Sequence, residues 1–191
     1  MTIALIVLLA LILVVLAYGI LIYNNLVRLK HTVAKAWSNI DVALKQRHDE
    51  IPKLVTLCKE YMRHEQDTLE RVVRARNQVL SATDRGDARA LGPAESELRA
   101  GLGRLLALAE NYPNLKADRG FRQLSRRISQ LEDTIADRRE LFNERVNLHN
   151  IRLEQFPDGL VARRFGFRPR DLLKFREARA NPDLDALFRG G

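Results

Sequence analysis

Three observations predict an all-α fold, an N-terminal transmembrane helix followed by an elongated antiparallel helical bundle. The stretch from Ile3 to Ile22 carries no charge. Beyond it, apolar residues recur at seven-residue spacing from Trp37 to Val79. A second long apolar series runs from Phe121 to Phe142 and on toward Phe156. In chain order these divide the 191 residues into an anchor (1–25), a bundle (26–157), and a latch with a loosely ordered tail (158–191).

The anchor stretch contains only Ala, Leu, Ile, Val, one Tyr and one Gly, and the first charge after it is Arg28. A hydrocarbon core of about 30 Å needs roughly 20 such residues as a helix. A helix is also the one form in which a single segment keeps its backbone hydrogen-bonded in lipid. Tyr18, Tyr23, Asn24 and Asn25 stand where an interfacial belt is expected. The alternative is a cleaved leader with Ala17-Tyr18-Gly19 as its site. No basic residue precedes the apolar stretch, and its length exceeds a leader's core of about 7–15 residues, so a retained span is expected. Arg28, Lys30 and Lys35 follow the span closely, which places the amino end outside and the bundle in the cytoplasm of a bacterial inner membrane. The lone Cys58 suits a reducing compartment.

After the anchor the helix is expected to continue as one nearly unbroken run to Ser81. Trp37, Leu44, Ile51, Cys58, Val72 and Val79 share one series, and Val33, Ile40, Leu54, Tyr61 and Ala75 share its partner, making a core-facing, coiled-coil-like stripe. Pro52 removes a backbone donor. Because the apolar phase is the same on both sides of it, a kink is expected there, with a tight turn capped by Asp49 as the alternative. Arg47 and Glu65 interrupt the stripe and are read as bundle ends or solvated edges.

The run Tyr23-Asn24-Asn25-Leu26-Val27-Arg28-Leu29, then Ala36-Trp37-Ser38-Asn39-Ile40-Asp41-Val42 and Leu44-Lys45-Gln46-Arg47-His48-Asp49-Glu50-Ile51-Pro52-Lys53-Leu54-Val55, resembles the LemA family. Leu105-Leu106-Ala107-Leu108-Ala109-Glu110-Asn111-Tyr112-Pro113-Asn114-Leu115-Lys116, Phe156-Pro157 and Phe165-Gly166-Phe167 agree with it in order and spacing. The resemblance covers the chain to about Pro169. It implies a bacterial membrane protein with a helical-bundle domain, linked to membrane organisation and to membrane proteases as associates, and it implies no defined biochemical activity. The chain after Pro169, including Leu172-Leu173-Lys174-Phe175, departs from the familiar pattern.

Farther along, the polar run Ala82-Thr83-Asp84-Arg85-Gly86-Asp87 reads as a loop and Pro93 as a first helical residue. Leu98, Leu102, Leu105, Ala109 and Tyr112 form a helical face that ends before Pro113. Gly101 and Gly103 would let a neighbouring helix approach closely. Asp118 is placed to cap the last long helix, whose core series is Phe121, Leu124, Ile128, Leu131, Ile135 and Phe142. The expected structural core therefore includes Trp37, Ile40, Leu44, Leu54, Leu124, Leu131 and Phe142. Asn143, Asn147 and Asn150 are poor helix formers on one side of that helix. They are expected either to hydrogen-bond a hydrophobic latch around Phe165 to Phe167, or to form a partner-contact groove with Phe156, Phe165 and Phe167.

Signatures of catalysis are missing. There is no nucleophile elbow, phosphate-binding loop, paired cysteine or zincin helix. The Glu-x-x-His spacing of di-iron bundles does not occur. His48 and His64 would stand about 24 Å apart on a straight helix. Glu60, His64 and Asp67 share a face, as solvated stripes commonly do. No cofactor and no metal is expected. The charge of +8 comes from 32 basic and 24 acidic residues interleaved along the helices. That balance suits anionic headgroups near the stalk and equally suits a solvated surface.

Three function classes follow. The leading one is a membrane-anchored scaffold or adaptor of the cell envelope, without catalysis, whose partners are the lipid bilayer and a second copy or another membrane protein, a membrane protease among the candidates. The alternative is an enzyme or metal-binding protein with a site near His48 to Glu65, which convergence of His48 and His64 would revive. Nucleic-acid binding is not expected, because no basic face rich in aromatic residues is present.

Overall fold

A computed structural model describes residues 1–175, and the outer part of the expected tail, 176–191, lies outside the described residues. The described chain is helical and contains no strand. Its elements are α1 (Thr2–Tyr61), α2 (Gln66–Asp84), α3 (Ala88–Ala109), α4 (Pro113–Ala117), α5 (Arg119–Glu154) and α6 (Asp158–Arg164). They form two compact units, Met1–Asn39 with Glu140–Leu172, and Ile40–Arg139 with 173–175, so α1 and α5 contribute to both.

The second unit is a four-helix bundle. Several expectations are corrected there. The run from Ile3 to Ser81 is not one helix: α1 ends at Tyr61, and the chain reverses through Met62 to Glu65. Met62 is fully buried in the turn, and Arg76 of α2 comes back to His48 of α1. Pro52, by contrast, lies inside α1 without a turn. The amide it lacks would have bonded the His48 carbonyl four residues earlier. Arg76 Nε donates to that carbonyl instead, at 2.9 Å.

The polar run after α2 is also shorter than expected, since Ala82, Thr83 and Asp84 are still helical. Gly86 adopts φ +63°, which is costly for any side chain. The Asp87 amide then reaches the Ala82 carbonyl at 3.1 Å and the Gly86 amide the Thr83 carbonyl at 2.9 Å, a Schellman closure. Asp87 next caps α3, accepting from Arg89 N and Ala90 N at 3.0 and 3.1 Å. Helix α3 therefore begins at Ala88, and Pro93 falls within it and not at its start. A methyl on Gly101 would sit 3.3 Å from Val72 of α2, whereas one on Gly103 would meet nothing. Close approach of α2 and α3 thus uses Gly101 alone.

Pro113 opens the short α4. Asp118 caps α5 as expected, accepting from Phe121 N at 2.9 Å. Ile40, Leu44, Leu54, Ile128, Leu131 and Ile135 are buried and Leu124 is half-buried. Leu173 and Phe175 are buried too, although the sequence reads them as the start of a tail. The Lys174 carbonyl crosses α3 at Gly92 so closely that a Cβ there would lie 2.1 Å from it. The Arg139 guanidinium stacks 4.6 Å from the centre of the Phe175 ring.

In the first unit, α1 and α5 run antiparallel. Trp37 meets Phe142 edge to face at 5.5 Å, and Tyr23 meets Phe165 and Phe167 at 4.9 and 5.9 Å. Trp37 is half-buried; Phe142, Val146 and His149 of α5 are buried. Helix α6 packs Ala162 against Ile22 and Leu26, with Leu153, Val161 and Phe167 around them. Gly159 lets the start of α6 close on the end of α5, since a Cβ would lie 2.8 Å from the Leu153 carbonyl.

Candidate functional site

Two sites emerge, one closed and one open. The closed site lies in the four-helix unit at Arg47, expected at a solvated edge and found fully buried. Its guanidinium reaches two carboxylates on two other helices: Nη2 pairs with Glu95 of α3, and Nη1 with Glu132 of α5 at 2.6 Å. Arg99 Nε closes the set on Glu132 at 3.0 Å. Two cations and two anions leave the cluster formally neutral, so a buried charge is balanced on the spot.

Burial pushes the Glu95 carboxyl above its ordinary range, against the pull of Arg47. Burial also works to lower the Arg47 pKa, but Glu95 and Glu132 more than offset it and the net direction is up. Arg47 Nε and Glu95 Oε2 are buried without hydrogen-bond partners among the described residues. Buried and charge-balanced across three helices, the cluster serves as a bolt between them.

The region from His48 to Glu65 does not gather into a site. Helix α1 is continuous from His48 to Tyr61, so about 20 Å of helix separates His48 from the turn that carries His64. His48 is half-buried, and burial first, then Arg76, lowers its pKa; His64 is exposed. Among the described residues no group of three His, Cys, Asp or Glu is placed to hold a metal ion. Cys58 is buried, and burial pushes its thiol up to about 11, which keeps it protonated and unreactive at neutral pH.

The open site lies in the first unit and brings together Phe165 and Phe167 of the residues singled out as partner contacts, with Asn150 holding the segment beside them. Helix α6 ends in a second Schellman closure. Gly166 at φ +71° lets the Phe167 amide reach the Ala162 carbonyl at 3.0 Å, which turns Phe167 back onto α1. The chain then runs beside α5, held by two polar side chains. His149 Nε2 bonds the Arg168 carbonyl at 3.2 Å; Asn150 donates to the Arg170 carbonyl and accepts from the Arg170 amide, both at 2.9 Å. Asn150 thus serves the return segment, Asn143 is half-buried, and Asn147 is exposed. Phe156 and Phe165 are largely exposed and Phe167 is half-buried.

Between α1 and the return segment opens a groove of about 560 Å³. Tyr23, Phe165 and Phe167 line one part of it and Lys30, His31, Arg168 and Arg170 another, and its lining holds no carboxylate. Along α5, Leu141, Leu148 and Ile151 are 53, 39 and 42% exposed at heptad-like spacing. From the sequence alone Arg47 reads as an edge residue, and neither Glu95 and Glu132 nor this apolar stripe stands out.

Comparison with known proteins agrees with the motifs quoted above. The LemA family model matches residues 36–185. The magnetosome proteins MamQ 1 and MamQ 2 of Paramagnetospirillum magneticum are each 29% identical over 99 residues, 52% of this chain and 36% of theirs. The magnetosome protein MamQ of Magnetospirillum gryphiswaldense is 31% identical over 85 residues, 44% of this chain and 31% of its own. The matches thus span about a third of the length of these relatives. None of these names is that of an enzyme class, and α1 is long and apolar enough to cross a membrane.

Proposed function

We propose that this chain, which belongs to the LemA family, is a membrane-anchored helical scaffold of the bacterial cell envelope that works by self-assembly and has no catalytic step of its own. The observation that carries the reading is the exposed stripe Leu141, Leu148 and Ile151 on α5. A helix in water normally turns such a stripe inward. A second copy is the occupant that best fits it, because an anchor holds all copies in one orientation and raises their local concentration. Parallel packing then brings the same stripe of each copy together, as in a two-fold interface. The relatives are named for a cellular structure, the magnetosome, and not for a reaction, which supports a structural role.

In this reading the span lies in the inner membrane with the bundle in the cytoplasm, residues 1–25 anchor it, and the latch closes the membrane-proximal end. Light scattering in mild detergent, after crosslinking in intact membranes, tests it. A defined homo-oligomer is expected, and Leu141→Glu/Leu148→Glu/Ile151→Glu should reduce it to a monomer with unchanged helicity. A wild-type monomer overturns self-assembly; if one membrane protein is crosslinked to it, the adaptor form replaces the scaffold form.

A further inference from the structure

The groove beneath the anchor has the composition of an anion site set at membrane depth. Lys30, His31, Arg168 and Arg170 line it without a carboxylate, and none of the four is held in an ion pair among the described residues. Its shape is built and not accidental: the backbone that carries Arg168 and Arg170 is pinned by His149 and Asn150, and His149 is itself buried.

Depth follows from helix geometry. Ile22 ends the apolar span, and Lys30 lies about 12 Å farther along α1. Side chains leave a helix tilted toward its N-terminus, so Lys30 and His31 lean back toward the bilayer. The headgroup layer extends about 5–8 Å beyond the hydrocarbon. Helix α6 is level with the end of the span, since Ala162 packs on Ile22 and Leu26, and near it Phe156, Leu160 and Phe165 are exposed. Exposed aromatic and aliphatic side chains at that level are seated in the interface.

We propose that this groove binds the phosphate of an anionic phospholipid headgroup, with Lys30, Arg168 and Arg170 as its cationic walls and Phe156, Leu160 and Phe165 dipping into the interface beside it. The inference rests on the membrane-anchored reading, and not on self-assembly. Charge and position together select the source. A free phosphate would meet the same cations, but only a lipid also covers Phe165 of the groove and the exposed Phe156 and Leu160 at the level of α6.

The test uses the full chain purified in a non-ionic detergent and incubated with phosphatidylglycerol or phosphatidylcholine, with retained lipid measured by phosphorus assay after gel filtration. Phosphatidylglycerol should be retained stoichiometrically and phosphatidylcholine should not, and retention should fall with added salt. Lys30→Gln/Arg168→Gln/Arg170→Gln leaves the backbone bonds of the return segment in place and should weaken retention roughly 100-fold at low salt. The charge-matched control Arg71→Gln/Arg74→Gln/Arg104→Gln, on exposed faces of α2 and α3, should keep it.

Equal retention of the two lipids, retention insensitive to salt, or equal loss in the control overturns the site. A rise in melting temperature with inorganic phosphate alone, matching that with phosphatidylglycerol, overturns the lipid as its source. Carbonate extraction separates the two levels of failure. A chain released from membranes fails the anchored reading and this one with it; a chain that stays in the membrane but shows no lipid preference fails only this one.

Discussion

Along Ile40–Tyr61, α1 is enclosed by α2, α3 and α5, and even a guanidinium there is fully buried with its counter-charges. Along Ile22–Asn39 the described neighbours of the same helix are the end of α5, α6 and the return segment, and cations of α1 as well as leucines of α5 are left facing outward. The difference teaches where each part of the molecule can act. A charge met by counter-charges on neighbouring helices holds its unit together, whereas cations that line a groove without a carboxylate are placed to meet a ligand's anion.

The largest test of the closed unit is Arg47→Met. It leaves the Glu95 carboxylate buried without its partner and should cost about 3–5 kcal/mol in thermal or urea unfolding. Arg47→Met/Glu95→Met removes both charges and should recover most of that loss, since apolar replacements of a buried pair are commonly neutral or better. If Arg47→Met alone melts like the wild type, the cluster is not a bolt and the contrast between the units is broken.

Next in size is Gly92→Ala. The added methyl would overlap the Lys174 carbonyl and displace Leu173 and Phe175, so a loss of about 2–4 kcal/mol is expected from two apolar side chains returned to water. Gly103→Ala on the same helix meets nothing and should stabilise by up to about 1 kcal/mol through helix propensity. Equal effects of the two would show that the 173–175 segment does not close the unit.

Smaller again, and more diagnostic, is the pair Arg76 and Pro52. Arg76→Leu strips the donor from the His48 carbonyl that Pro52 has left open, at about 1–3 kcal/mol. In a Pro52→Ala background the helix supplies its own donor, and Arg76→Leu should then cost much less. A double-mutant cycle without coupling would show that the carbonyl is satisfied in some other way.

These residues also mark how far the sequence could be read. The long apolar helix, the all-α class and the Asp118 cap were legible because each depends on local pattern alone. The reversal at Met62 to Glu65 was not, because Met62-Arg63-His64-Glu65 contains no glycine, proline or asparagine. The turn is made by burying Met62 and by the apolar face of α2 finding α1. Phase was also a false guide: Cys58 and Val72 fall on one heptad series on opposite sides of that turn.

The same phase carried a true signal at Arg47, which occupies a core position of the series Val33, Ile40, Leu54, while Glu95 sits between Leu91 and Leu98 on the face of α3. Opposite charges at core positions of two helices could have been paired from sequence. The Arg76 contact could not, because it exists only once the turn is known. The groove was half legible: its aromatic residues were singled out, but its cations come from segments far apart in the chain.

Cys58 gives the smallest effect on stability and the most direct measure of the contrast. Its thiol is raised from 9.0 to about 11, so the folded chain holds that proton more tightly than the unfolded chain. The sign is therefore fixed: the group has no effect on stability below about pH 9, and wild type loses stability relative to Cys58→Ala as pH rises toward 11. At pH 8 Cys58→Ala isolates no titration, and the informative quantity is a rate. Alkylation of Cys58 must wait for the closed unit to open, and should run roughly 1000-fold slower than that of an exposed thiol. A thiol introduced by Leu148→Cys in the Cys58→Ala background stands on the open face and should react at the free rate in dilute detergent. If Cys58 reacts as fast, the four-helix unit is not closed. If the thiol from Leu148→Cys is fast at dilution but protected in membranes, something covers the stripe there, and protection that disappears in the presence of the Leu141→Glu/Ile151→Glu changes would identify that cover as the interface between copies.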